Sequence, residues 1–537
     1  MGAIANDEMI TAKDGQQHSW KSVKLLIATL IVSTLGDGFC GVMMAVALPN
    51  ISETYHVSIA TANWVTVGYA IVAATAVMTA ATVLARIGLK KLFFWSRVLL
   101  IVSSLIGLFS LNFPMMLTSR LIQAVGSGLM FPTINTVIIR VVPAKISGRV
   151  VSLNSAIIGL GIAVAPLLSG VFLTYVSLTS MYVVPLAVGI ISILMGAKFM
   201  FDVEPRKQHP IFVLSIVLSF VGLAALMMGF SELTHRPLFA VPMLIAGVAV
   251  LVWFAVRQFH LDVPLLDLHP MKHLYVSLGV LMYMAGAMGQ QAVLLLLPLY
   301  LERACDYTPF VAGCFLLIMT LFYSGSVIVG GKTVDRSGMW PVVSSGFLLM
   351  VIGLFATFFA APTKIAWLVV LIGSVVVVGD ALINVPDKDV VLEALPDNTV
   401  PDTSAIFSTG NQIAGSIGSA LFVGVLSADV LRQTAEGVNR HAAYANGFQH
   451  SILIAAIFEV AMLLVSVWYS REMVRHGRAK INQTAYQASQ RLRHGGTRNA
   501  GKSIEGQGIR ICGILMRTAH PFSRWRPPAA LPRRPRP

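Results

Sequence analysis

What this 537-residue chain lacks narrows its class before any motif is read. Charged residues make up 12% of it, against roughly 25% in soluble domains, so an ordinary globular surface is excluded. The four cysteines, Cys40, Cys305, Cys314 and Cys512, have no paired spacing, and neither a disulfide framework nor a metal site is expected. No HExxH and no G-x-S-x-G occurs, nor any polar stretch large enough to hold a separate active site, so no enzyme and no cofactor are expected. VGGKT at 329–333 brushes against a phosphate loop, but Ser326 stands where that loop needs glycine and the run before it is apolar. The ~10-residue alternating segments of a membrane barrel are missing too.

What is present is apolar. Hydrophobic residues reach 56% and mean hydropathy is +0.77, and runs of about 20 apolar residues, enough to cross a bilayer as a helix, recur along the chain. Fourteen spans are predicted, at about 24–48, 62–84, 92–111, 114–138, 150–175, 181–201, 211–231, 237–256, 274–300, 311–330, 341–361, 365–386, 404–427 and 450–470. An even count puts both ends on one side. Arg86, Lys90 and Lys91 follow the second span and Arg140, Lys145 and Arg149 the fourth, while the loops after the first, third and fifth hold no Lys or Arg. By the positive-inside rule both termini are cytoplasmic, in a multi-pass protein of the cell membrane. The first 22 residues are polar and the first apolar run exceeds a signal-peptide core, so it reads as an uncleaved span. Net charge is +15, but the chain from Arg471 onward holds 15 Lys or Arg against Glu472 and Glu505, a net of +13, which leaves +2 for the rest. The basicity belongs to the tail and points to no nucleic acid.

The chain repeats itself. GKTVDRSG at 331–338 and ATVLARIG at 81–88 both lie between apolar runs and end in arginine-x-glycine, 250 residues apart. A proline-led loop entering a Gly/Ala/Ser-rich helix likewise occurs from Pro143 and again from Pro396. Each charged stretch is expected to be a tight hairpin between two buried helices. Two six-helix bundles follow, with the seventh and eighth spans inserted between them: 1–23 a cytoplasmic N-terminus, 24–205 the first bundle, 206–258 the inserted pair, 259–470 the second bundle with its leading loop, and 471–537 a basic, disordered cytoplasmic tail. Bundles of this kind, with a site at their midplane interface, build many secondary transporters.

Several motifs in order carry a resemblance to the fourteen-span drug:proton antiporter branch of the major facilitator superfamily, over about 25–470. Gly331, Asp335, Arg336 and Gly338 match the loop motif G-x-x-x-D-R-x-G, whereas the earlier copy keeps Arg86, Gly88 and Lys90 but has Ala85 in place of aspartate. The resemblance makes these loops a gate, with the aspartate capping a neighbouring helix to hold one access state. SRLIQAVGSG in the fourth span resembles the family's R-x-x-Q pattern through Arg120 and Gln123. An arginine inside a span costs roughly 2.5–3.5 kcal/mol and normally faces a partner or water; by resemblance Arg120 serves proton transfer. GLGIAVAPLLSG in the fifth span, with Gly159, Gly161, Ala165, Pro166 and Gly170, resembles the antiporter motif G-x-x-x-G-P-x-x-G-G and favours export.

Asp37 is an unpaired carboxylate in mid-membrane by this reading, and so a candidate to take and give a proton. The family's aspartate stands nine residues before the proline of V-A-L-P; here that position is Cys40, and Asp37 lies nearly one turn earlier. Asp380 is expected to face the cavity, where it would attract a cationic substrate or carry a second proton, and Glu459 to be peripheral with a structural or solvated role. Trp64, Tyr69, Gln123, Gln290, Gln291 and Asn384 are candidate cavity liners. The resemblance implies an all-α polytopic membrane protein with the major facilitator fold, monomeric, exporting small amphipathic or cationic drug-like compounds against an inward proton flow. The alternative is an importer or uniporter of a small metabolite on the same fold.

Overall fold

The computed structural model describes residues 9–11, 17–44, 46–142, 144–203, 212–233, 236–261, 264–337, 339–393, 395 and 400–494. A short antiparallel ribbon, β1 (Met9–Thr11) with β2 (Gln17–Ser19), precedes the helices. Then come α1 (Trp20–Val42), α2 (Leu48–Thr54), α3 (Ile59–Ala62), α4 (Trp64–Ile87), α5 (Leu89–Leu108), α6 (Phe113–Val141), α7 (Ala144–Tyr175) and α8 (Val183–Phe199). The pair α9 (Val213–Glu232) and α10 (Pro237–Phe259) leads to α11 (Leu274–Arg303), α12 (Pro309–Ser337), α13 (Met339–Ala360), α14 (Ala366–Glu393), α15 (Val400–Ala435) and α16 (Arg440–His494). Fourteen segments among the described residues are long and apolar enough to cross a membrane, as the apolar runs predict. In lipid every backbone polar group must be satisfied within the segment, which is why each run closes into a helix.

Helices α1 and α4 to α8 pack as one bundle, α11 to α16 as a second. The inserted pair packs on itself, and α9 lies against α4 and α15 where the bundles meet. Helix α10 leaves Leu238, Ile245, Val252 and Trp253 exposed, a surface suited to lipid tails. With an even number of candidate spans, the start of the first and the end of the last lie on one face, here the terminal face; α2 and α3, after the first span, lie on the opposite, far face.

Three sequence expectations need correction. The charged hairpins are shorter than expected, because the flanking helices run into them. Helix α4 continues to Ile87 and α5 starts at Leu89, so the turn is Gly88 alone. Gly88 adopts φ +82°, the left-handed region open to glycine. Likewise Gly331, Asp335 and Arg336 fall on the last turns of α12, and Gly338 lies outside the described residues. The twelfth span does not stop at Pro386 but continues as α14 to Glu393, bringing Asp387 and Lys388 into the helix. Finally, α16 runs past Arg471 to His494, so the first part of the basic tail is helical; 495–537 lie outside the described residues.

Candidate functional site

Asp37 sits between two glycines, and that spacing fixes its surroundings. A Cβ at Gly36 would stand 2.8 Å from the Val188 side chain of α8, and one at Gly38 would stand 2.8 Å from the Ile158 carbonyl oxygen of α7. Gly161 returns the contact, since a Cβ there would reach 2.7 Å from the Leu35 carbonyl oxygen. Small residues on both helices thus bring α1 and α7 into backbone contact. The carboxylate is not unpaired, contrary to the sequence expectation. Arg97 of α5 donates from Nη2 to both its oxygens, at 3.1 and 3.0 Å, and from Nη1 to the Ser33 carbonyl oxygen at 3.3 Å. Both side chains are buried, at 0% and 4% exposure. A charge in such a place is tolerable when an opposite charge and further hydrogen bonds satisfy it.

Arg120 is buried too, but it serves a different group. Its guanidinium carbon lies 4.1 Å from the centre of the Tyr69 ring, its Nε donates to the Val65 carbonyl oxygen at 3.3 Å, and its Nη1 donates to Gln123 Oε1. The R-x-x-Q spacing therefore closes on itself within one turn of α6. Tyr69 links this arginine to the cavity.

Between the bundles lies a cavity of about 370 Å³. The first bundle contributes Asp37, Thr66, Tyr69 and Ser127; the second contributes Tyr283, Gln290, Gln291, Tyr323, Asn411 and Gln412, with Lys388 also on its wall. Leu294, Leu295, Met319 and Phe131 supply apolar surface. Such a lining, apolar with a few convergent polar groups, is what small-molecule sites share. Of the expected liners, Tyr69, Gln290 and Gln291 reach the cavity. Trp64 packs instead into an apolar cluster of α4 and α9, Gln123 is held by Arg120, and Asn384 is turned toward Asp380.

Asp380 does not face the cavity either. It is fully buried behind the wall, where Asn384 Nδ2 donates to its Oδ1. Glu459 is not peripheral or solvated: it is fully buried against Gly289 of α11 and Met350 of α13. Asp387, one helical repeat beyond Asp380, is equally buried, beside Gly279.

The bundles touch across the far face. Gly170 of α7 meets Pro309 of α12, where a Cβ would stand 2.5 Å from the Pro309 carbonyl oxygen, and Gly313 is in like contact with the Pro166 carbonyl. Gly159, by contrast, has nothing within 4 Å. Ala165 is fully buried. The Phe310 amide donates to Thr174 Oγ1 at 3.0 Å, and Asn63 and Ser419 exchange two hydrogen bonds, at 3.0 and 2.8 Å. Arg303 of α11 donates to the Glu53 carboxylate and, at 2.8 Å, to the Pro49 carbonyl oxygen of α2. That hydrogen bond holds the Glu53 carboxyl below its usual range. On the terminal face Arg86 is exposed, and Asp202 accepts from the Lys90 amide at 2.8 Å, capping the first turn of α5. A Cβ at Gly88 would come within 2.7 Å of that carboxylate, a second reason for glycine there.

Sequence reasoning did not single out Arg97, whose partner lies 60 residues away, nor Asn411, Gln412, Tyr283 and Tyr323. Arg97 carried the same signal as Arg120, an arginine inside an apolar run.

Two helical bundles enclosing a polar-lined cavity at their interface, tied shut across one face, define a membrane transporter. The family model described as Major Facilitator Superfamily matches residues 30–419, and the chain belongs to that superfamily. It is 27% identical over 478 residues to the lincomycin resistance protein LmrB of Bacillus subtilis, covering 87% of this chain and 99% of that protein. It is 21% identical to the riboflavin transporter RibZ of Clostridioides difficile, covering 85% and 98%. A bacterial homologue of the human lysosomal transporter Spinster, in an inward-facing and unoccupied conformation, shares the fold with a TM-score of 0.60 at 14% identity, over 84% of this chain and 98% of that one.

Proposed function

We propose that this transporter exports small amphipathic or cationic drug-like compounds across the cell membrane in exchange for protons, by alternating access, as a monomer with both termini cytoplasmic. The observation that carries the reading is the buried Asp37 carboxylate in the wall of the interbundle cavity, one face open to substrate and the other held by Arg97. A group so placed feels both substrate and proton. Arg120, through Tyr69, acts on the same wall, and Asp380 carries protons in the second bundle. Gly331, Asp335, Arg336, Gly338, Arg86 and Gly88 form the cytoplasmic gate. Pro166 and Gly170 seal the opposite side against α12, while Gly161 holds α7 against α1 and Ala165, between them in sequence, is buried. Similarity to lincomycin resistance proteins supports drug export. A proton moving down 100 mV gains about 2.3 kcal/mol, enough for over tenfold accumulation.

The test uses everted vesicles holding a preformed proton gradient and a pH-sensitive dye. Compounds from a broad panel that includes lincomycin should collapse the gradient, and Asp37→Asn should abolish the response while leaving membrane insertion intact. No response across the panel would count against antiport. The second reading, an importer or uniporter, draws on the similarity to a riboflavin transporter; uptake without proton movement would favour it.

A further inference from the structure

Helix α11 has two faces of different chemistry. Tyr283, Gln290, Gln291 and Leu294 line the cavity, whereas Gly279, Gly286 and Gly289 turn toward buried acids. A Cβ at Gly286 would stand 2.9 Å from Asp380 Oδ1 and one at Gly279 would stand 3.3 Å from Asp387 Oδ1, while one at Gly289 would overlap Glu459 Oε1. Gly286 and Gly289 are one turn apart on the same helix face, so the carboxyls they accommodate, from α14 and α16, are neighbours.

Among the described residues no cation faces them. Asp380 Oδ2, both Glu459 oxygens and Asn384 Oδ1 lack a hydrogen-bond partner, and all three residues are at most 5% exposed. Among the described residues no Lys, Arg or His forms an ion pair with either acid. The elements packed around them present Gly286 and Gly289 from α11, Met350 from α13 and, as the other titratable group, Tyr323 from α12. Tyr323 also lines the cavity. Two neighbouring buried carboxyl groups without a cation resist ionising together, and a proton on one of them supplies a donor where the surroundings offer none.

We infer that Asp380 and Glu459 form a shared proton-binding site behind α11, separate from the Asp37 pair, and that loading it sets the position of α11 and of the cavity wall it carries. Without the proton, like charges push α14 and α16 apart around the glycine face; with it, the two carboxyls close. Asp387, two turns along α14 toward the terminal face, gives the site an outlet in that direction. The inference rests on proton-coupled transport, but its test needs no substrate, so its failure is distinct from failure of the export reading.

The full-length protein in lipid nanodiscs is taken through pH steps, and the infrared carbonyl band of protonated carboxyl groups is followed in difference spectra. A component that titrates with pH should vanish in Asp380→Asn, in Glu459→Gln and in the double variant by the same amount, since one proton is shared, and persist in Asp37→Asn. Gly286→Ala keeps both carboxyls and should displace the component, which guards against a variant that merely misfolds. No loss in either single variant, equal losses that add in the double, or no displacement in Gly286→Ala would overturn the inference. Displacement of the band by sodium chloride but not by choline chloride would assign the site to a metal cation and overturn it as well.

Discussion

The two bundles solve the problem of buried charge in opposite ways. In the first, Asp37 meets Arg97 and the second arginine, Arg120, is spread over a tyrosine ring, an amide and a carbonyl. In the second, Asp380, Asp387 and Glu459 are fully buried and no cation pairs with them among the described residues. A compensated carboxylate can stay ionised and respond to a substrate's charge, while an uncompensated one is settled by a proton. On the export reading, Asp37 therefore answers to substrate as well as proton, and the acids of the second bundle to proton alone.

The largest effect expected breaks the first bundle's compensation. Arg97→Met leaves Asp37 buried and unpaired, which should cost about 3–5 kcal/mol. Asp37→Asn combined with Arg97→Met should recover most of that stability, because it removes the charge as well as its partner. Thermal unfolding followed by size-exclusion fluorescence checks both, and a double variant no more stable than Arg97→Met alone would show that the pair does not hold the bundle.

Packing supplies the next contrast. In the fifth-span motif, Gly161 faces the Leu35 carbonyl at 2.7 Å from a Cβ, whereas Gly159 faces open space. Overpacking a tight site costs typically 1–3 kcal/mol, so Gly161→Ala should destabilise by about that much and Gly159→Ala should not. The same unfolding assay reads the pair; equal effects would mean the motif acts through something other than close helix approach.

How much of this was legible follows from where the information lies. The fourteen spans were legible because apolar length is a local property, and Arg120 and Asp37 because a charge inside an apolar run is conspicuous. The pairing was not, since Arg97 and Asp37 are joined only when α1 and α5 pack. The stripe of Asp380, Asn384 and Asp387 at i, i+4 and i+7 was hidden by Pro386, which reads as a helix end although α14 passes through it. Ala85 in place of the motif's aspartate was plain to read, but not that Asp202, 112 residues away, caps α5 at the Lys90 amide.

The second bundle should behave differently when an acid is removed. Asp380→Asn takes away no ion pair and leaves an acceptor for Asn384, so stability should change by about 1 kcal/mol or less. Transport should instead lose part of its pH dependence. A fall in stability as large as that of Arg97→Met would erase the proposed distinction between the bundles.

The smallest effect concerns the tie that spans both. Arg303 grips Glu53, but the Glu53 side chain is 53% exposed, so solvent screens the pair and its removal should cost about 0.2–1 kcal/mol. Because the Glu53 carboxyl is held below its ordinary value of 4.5, the tie contributes fully above that pH and is lost as pH falls through the lowered value; at neutral pH it is intact. Gly41 lines the cavity and a Cβ there meets nothing within 4 Å, so Gly41→Cys, with the four native cysteines replaced by alanine, reports opening toward the far face. Labelling by an impermeant maleimide from that face should rise less than tenfold in Glu53→Gln. In Arg303→Gln, which also loses the bond to the Pro49 carbonyl, it should rise at least as much, and the double variant should add nothing beyond Arg303→Gln. Additive increases would mean that Glu53 and Arg303 act separately, leaving the far face to the glycine contacts of α7 and α12 and the hydrogen bonds of Phe310 and Asn63.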